Sequence, residues 1–209
     1  KYEPAVTTRL YAGDGQLMME YAVEKRLFVP EEKIPSLVKN AFIAAEDKKF
    51  YSHSGIDFVG IARAVIGNLK NIGTGRRPAG ASTITQQVAK NFLLSSELSY
   101  VRKIKEAILA TRIEQAFTKQ HILELYLNEI YLGNRSYGVA AAALNYFGKS
   151  LDELSLEEVA YLAALPKGPN NYNPKTRYEA AIARRNWVID RMVEDGYATP
   201  EDAETAKAK

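Results

Sequence analysis

The 209-residue chain contains no cysteine. Disulfide staples and thiolate chemistry are excluded, while the redox compartment stays undefined. Its two histidines, His53 and His121, stand far apart and form no His-rich metal motif. No run approaches the roughly 20 apolar residues that a membrane-spanning helix needs, and no signal-peptide pattern opens the chain. The first residue is Lys1 rather than Met, so the sequence reads as an excised piece whose N-terminal membrane anchor would lie outside it. Internal repeats and low-complexity tracts are also missing. The remainder is globular in balance, with 46% hydrophobic and 25% charged residues. A chain of this length can bury a core without covalent staples. It fits one large domain, or one domain with a small appendage.

Net charge is only +3, but it is unevenly spread. Between Gly60 and Gln120 ten basic residues (Arg63, Lys70, Arg76, Arg77, Lys90, Arg102, Lys103, Lys105, Arg112 and Lys119) face three acidic ones (Glu97, Glu106 and Glu114), a surplus of seven. Such a field suits an anionic partner: phosphate, nucleic acid or an acidic membrane surface. For any single lysine, a solvated helix face is the better reading.

Residues Val6 to Val29 read as strand material, with Asp14-Gly15 as a hairpin turn. After Pro30 the pattern turns helical, with Ile34, Leu37, Val38, Ala41, Phe42 and Ala45 at i, i+3, i+4, i+7 spacing and an end near Phe50. A second helix is expected from Asp57, as N-cap, to about Asn71. The stretch from Gly73 to Gly80 holds three glycines and a proline and reads as a mobile loop. Further helices fit a start near Ser82, then Tyr100–Phe117, Lys119–Leu132, Tyr137–Phe147, Leu156–Leu165 and Tyr178–Asp195. Prolines make Lys167–Pro174 a non-helical strap. Ser155 with Glu158 is a capping-box pattern, and Thr199-Pro200 opens a last short helix. The chain is therefore mainly helical, with a small β element over residues 1–30.

Three constellations could carry chemistry. The first is Glu46-Asp47-x-x-Phe50-x-x-His53-x-Gly55. A carboxylate among apolar neighbours can act as general base or acid, though by spacing alone a solvated acid pair at a helix end is the commoner outcome. The second runs from Gly80 through Ser82, Thr83, Gln86 and Gln87 to Lys90-Asn91. Free N–H groups at a helix start, with hydroxyl and amide donors, suit an anion or a sugar hydroxyl; the ordinary alternative is a Ser N-cap. Gln86, Gln87 and Lys90 read as one helix side. The third is Arg102-Lys103-x-x-Glu106. It is either an i,i+4 salt bridge worth a few tenths of a kcal/mol or a diphosphate clamp with a carboxylate beside it. Two other matches are decoys. Ser36-x-x-Lys39 lacks the partner motifs of a penicillin-reactive serine. Gly148-Lys149-Ser150 lacks the leading glycine of a phosphate-binding loop, Ala143 standing there.

Together with Ile-Leu-Glu-x-Tyr-Leu-Asn at Ile122–Asn128 and Arg184-Arg185-x-x-Val188-x-x-x-Met192, these blocks resemble the family 51 glycosyltransferases, the peptidoglycan polymerase domains of class A penicillin-binding proteins and of monofunctional enzymes. The match covers nearly the whole chain, and the N-terminal hairpin with Phe28-Val29-Pro30 is most similar to the bifunctional branch. One departure is Ala81, where many members have a second glycine. The resemblance implies a lysozyme-like, mainly α fold with a large globular lobe, a smaller membrane-apposed jaw with its mobile loop at about residues 56–80, and a short N-terminal β-hairpin.

It further implies an inverting enzyme that polymerises lipid II into β-1,4-linked glycan strands and releases undecaprenyl diphosphate. By that likeness Glu46 is the general base on the acceptor 4-hydroxyl and Glu106 the second carboxylate. Lys90, Arg102 and Lys103 neutralise the diphosphate. Asp47, Phe50, His53, Ser82, Thr83, Gln86, Gln87 and Asn91 line the cleft. No cofactor is obligatory; a divalent cation, Mg or Mn, is allowed at the diphosphate. Expected partners are lipid II, the growing strand, the periplasmic face of the bacterial inner membrane and a phosphoglycolipid inhibitor such as moenomycin, with no nucleic acid. The stripe Phe58, Ile61, Val65, Ile66, Leu69 and Ile72 is core by default and the membrane-dipping jaw by resemblance. A glycan-cutting enzyme of the same fold would have no use for the cations around Lys90 and Arg102, and a binding-only domain no use for two glutamates.

Overall fold

The computed structural model describes residues 8–11, 17–21, 25–70, 82–92 and 100–209. It is mainly helical, as the periodicity predicts. Two compact units are formed: a larger one from Lys1–Ala45 with Leu127–Lys209, and a smaller one from Glu46–Tyr126.

In the larger unit β1 (Thr8–Tyr11) and β2 (Leu17–Tyr21) pair antiparallel, Thr8 opposite Tyr21. The Asp14-Gly15 turn lies outside the described residues. The strand expected to continue to Val29 does not; instead β3 (Lys25–Arg26) pairs in parallel with β4 (Ser136–Tyr137), more than a hundred residues away. Asn128 secures the next step, its amide accepting from Val29 N–H at 2.8 Å and donating to Val29 O at 2.9 Å. A 3-10 turn at Glu31–Lys33 precedes α1 (Ser36–Glu46). Pro35 at the start of α1 leaves its carbonyl to accept from Val38 and Lys39. Ser36 of the first decoy is thus a helix start.

The remaining helices of this unit are α6 (Val139–Phe147), α7 (Leu156–Ala164), α8 (Tyr178–Glu194) and α9 (Pro200–Lys207). Their core is apolar: Val159, Ala160, Leu162, Ala163 and Ala164 of α7 are buried, as are Val188, Ile189 and Met192 of α8. Caps set the ends. Glu158 accepts from Ser155 N–H at 2.9 Å, completing the predicted box, and Ser150 with Glu153 forms an unpredicted one. Gly148, the second decoy, ends α6 in the left-handed conformation at φ 67°, and Lys149 pairs with Glu158 at 2.7 Å. The strap is not free of helix: Leu165–Lys167 and Pro169–Tyr172 are 3-10 turns, which proline tolerates at their first positions. Arg185, of the Arg184–Met192 block, is buried and donates to Lys207 O at 3.1 Å, closing the C-terminus of α9.

The smaller unit holds α2 (Phe58–Lys70), α3 (Ile84–Phe92), α4 (Tyr100–Ala116) and most of α5 (Lys119–Glu129). Asp57 O accepts from Ile61 N–H, which makes Asp57 the N-cap of α2 as expected. Phe58, Val65 and Ile66 are exposed on α2, so these members of the predicted stripe are not core within the unit; Val59, outside the stripe, is exposed as well. The side chain of Leu69, Ile72 and the Gly73–Gly80 loop lie outside the described residues. α3 packs on α4. No helix among the described residues is long and apolar enough to cross a membrane.

Candidate active site

Every sequence-predicted site residue falls in the smaller unit. α1 ends at Glu46, four residues before the expected Phe50, because the chain turns at Lys48–Tyr51 with Phe50 N–H donating to Asp47 O. The break places Glu46 and Asp47 in different roles. Glu46 is half-buried and accepts a hydrogen bond from Gln87 Nε2 at 2.9 Å. Asp47 is buried, and its carboxylate accepts from Ile84 N–H at 2.9 Å while meeting His53 Nε2 at 2.9 and 3.1 Å. Gly55 N–H donates to His53 Nδ1 at 3.1 Å. The proton on the ring therefore sits on Nε2 and points at Asp47. Gly55 itself is irreplaceable by geometry: its φ is 97°, and a Cβ would come 2.9 Å from the Ala110 carbonyl of α4.

The start of α3 is a capping box built on Thr83, not a Ser82 cap. Thr83 Oγ1 accepts from Gln86 N–H at 3.1 Å, and Gln86 Oε1 accepts from Thr83 N–H at 2.9 Å. Thr83 Oγ1 also donates to Gly55 O at 2.6 Å. The N–H groups of Thr83, Ile84 and Gln86, expected to be open to an anion, are thus spent on protein acceptors. Gln86 and Gln87 point to different tasks, one into the cap and the other to Glu46. Phe50, Thr83, Gln86 and Asp47, all expected to line the cleft, are buried. Phe50 has no exposed surface and carries the ammonium of Lys119 over its ring at 4.6 Å. Lys90 and Asn91 are exposed on the last turns of α3.

Glu106 is 1% exposed on α4. Lys103 Nζ stands 2.5 Å from Oε2 and Arg102 Nε 3.3 Å from Oε1, so both readings of this motif share one geometry: the salt bridge exists, and it gathers two cations. Lys103 also donates to Ser82 Oγ at 3.2 Å and stays half exposed. Its ammonium thereby joins the start of α3 to α4.

Two features escaped the sequence reading. Glu114 accepts from Thr85 Oγ1 at 2.6 Å and from Lys119 Nζ at 2.7 Å, a nearly buried ion pair beneath α3. The Thr85 hydroxyl one residue into the helix was the available signal. The other is Tyr126 of α5, wholly buried; burial, then the charges of Glu46 and Asp47, push its phenol well above the ordinary value. In the sequence it stands only within the Ile122–Asn128 block, whose spacing gives it no separate role. Among the described residues no three His, Asp or Glu side chains converge as a metal site. The carboxylates of Asp47 and Glu106 are already engaged, so these two offer no ligand set to the divalent cation that the resemblance allows.

The transglycosylase family model matches residues 14–193. The chain is 55% identical over 206 residues to penicillin-binding protein 1A of Rickettsia bellii (strain RML369-C), covering 99% of this chain and 26% of the relative. It is 48% identical over 204 residues to penicillin-binding protein 1A of Escherichia coli (strain K12), covering 98% and 24%. Among solved structures, penicillin-binding protein 1A from Haemophilus influenzae aligns with a TM-score of 0.58 and 30% identity, over 100% of this chain and 21% of that one. The chain spans about a quarter of the length of the curated relatives it matches. A family match over most of the chain, with the helical fold and the ordered site motifs, leads to one conclusion: the chain belongs to the transglycosylase family, the family 51 peptidoglycan glycosyltransferases.

Proposed function

We propose that the chain polymerises lipid II into β-1,4-linked glycan by inverting transfer, with Glu46 as general base. Glu46 takes the proton from the acceptor 4-hydroxyl. That oxygen attacks the donor anomeric carbon from the face opposite the leaving group, the bond to the diphosphate breaks, and undecaprenyl diphosphate departs. An inverting transfer needs one base with room for an external nucleophile. The observation that carries this assignment is the contrast between the two glutamates. Glu106 is buried between Lys103 and Arg102 and would have to surrender both ion pairs to accept a proton. Glu46 is half-buried and gripped by the neutral amide of Gln87, and a carboxylate accepts more than one hydrogen bond.

In this reading Glu106 holds Arg102 and Lys103 in place, and with Lys90 they neutralise the developing diphosphate charge. Any Mg or Mn is carried with the diphosphate. The exposed Phe58, Val59, Val65 and Ile66 beside Arg63 fit a surface resting on lipid at the outer face of the bacterial inner membrane. A phosphoglycolipid such as moenomycin would occupy the same cations. The test is lipid II consumption with product sizing for wild type and Glu46→Gln. Polymer from wild type and a loss of at least about a thousandfold in the variant are expected. Normal lipid II binding by both with polymer from neither would replace this reading with a binding-only domain.

A further inference from the structure

We infer that Gln87 is a positioning residue for the base: its amide fixes the rotamer of Glu46 from a helix start that is itself immobilised. The inference rests on Glu46 being the base.

The argument begins with the four residues before it. Thr83 is tied to Gly55 O at 2.6 Å, Ile84 N–H to Asp47 at 2.9 Å, Thr85 Oγ1 to Glu114 at 2.6 Å, and Gln86 Oε1 to Thr83 N–H at 2.9 Å. Each bond runs to a different acceptor or donor, and three of the four leave the helix. Thr83, Ile84, Thr85 and Gln86 are all buried. A first turn fixed in this way cannot roll about its axis without breaking buried hydrogen bonds. Gln87 is the next residue, and its Nε2 is 2.9 Å from Glu46 Oε2.

The same knot also fixes the other partner. Asp47, the neighbour of Glu46, holds the α3 start through Ile84 and holds His53, whose Nδ1 accepts from Gly55. Donor and acceptor of the Gln87–Glu46 bond are therefore anchored to one network, so a functional carboxylate is supported by groups that are locked themselves. An amide suits this task because it donates one directed hydrogen bond and carries no charge. A lysine or arginine would hold the oxygen more strongly and oppose its protonation.

The test compares the pH profiles of kcat and KM on lipid II for wild type, Gln87→Ala and Gln87→Glu. For Gln87→Ala, kcat should fall about 10- to 100-fold, the order for a reacting group out of line, with KM within about twofold of wild type. For Gln87→Glu, two carboxylates would meet at the site of a 2.9 Å hydrogen bond and share a proton. The acidic limb of the kcat profile should rise by about one pH unit or more. A change confined to KM, with the limb unmoved in Gln87→Glu, overturns the inference and makes Gln87 a substrate contact. Glu46→Gln, run alongside, separates the two levels. If it is inactive while the Gln87→Glu limb stays put, the positioning role alone fails. If it polymerises at the wild-type rate, the base assignment fails and takes the positioning role with it.

Discussion

The α7–α8 contact of the larger unit and the Asp47–Thr83 knot of the smaller one are both buried, yet they are held by opposite means. α7 and α8 meet through Val159, Ala160, Leu162 and Ala163 on one side and Val188, Ile189 and Met192 on the other. Such contacts are non-directional, and their strength follows the area removed from water. The knot is polar: Asp47, His53, Gly55, Thr83, Ile84 and Gln86 are joined by hydrogen bonds of 2.6–3.1 Å. Directed bonds fix atoms to a fraction of an ångström but leave no freedom to relax. The apolar layer supplies a frame, and the polar knot aims the end of α1.

Near-isosteric changes on each side sharpen the contrast. The largest effect is expected from Asp47→Asn. The new amide sets an N–H against His53 Nε2–H, and the other ring tautomer would set Nδ1–H against Gly55 N–H. No proton arrangement satisfies both, so a buried donor is stranded. Denaturant unfolding should show a loss of about 3 kcal/mol, and polymerisation should fall even at temperatures where the variant stays folded. A variant as stable as wild type would mean that the knot yields more easily than its geometry implies.

Ile189→Val removes one methylene from the apolar layer, where Ile189 is fully buried. The expected cost is about 1 kcal/mol, with lipid II turnover unchanged. A drop in turnover would show that the α7–α8 layer bears on activity as well as on stability.

The smallest effect concerns Glu158 of the capping box. Burial pushes its carboxyl up, but Lys149 and the Ser155 N–H more than offset this and leave it below the ordinary carboxylate value. A depressed group contributes stability above its unfolded value, near pH 4.5, and loses it as pH falls through the lower folded value. Glu158 is half-buried, but its partner Lys149 is 40% exposed, so the contribution is screened to about 0.5 kcal/mol. Stability measured from pH 7 down to pH 3 should fall less steeply in Glu158→Gln than in wild type, and equal slopes would remove the cap from the acid response.

Much of this was legible beforehand because helical periodicity and caps are local. The helices near residues 36, 58, 100, 119, 139, 156 and 178 lie where the apolar spacing puts them, and Ser155 and Thr199 cap as their neighbours suggest. The first helix was read four residues too long, since nothing local marks Asp47 as a residue whose carboxylate is claimed by Ile84. The Thr83-x-x-Gln86 box is a sequence pattern as clear as the one at Ser155, but Ser82 beside it drew the cap. The sequence read Phe50, Thr83 and Gln86 as lining residues because motif position says that a residue matters without saying how. All three are buried, and Thr83 and Gln86 bond each other across the start of α3.

By itself the sequence determined the helical class and the family and marked out two candidate glutamates, because periodicity, capping and ordered motifs are properties of the chain. Only the tertiary structure decided what Glu46 and Asp47 face. Glu46 meets Gln87 across 41 positions, Asp47 meets Ile84 across 37, and Glu106 is closed in by its own helix. Partners as distant as those of Glu46 and Asp47 are chosen by packing, which no local pattern in the chain records.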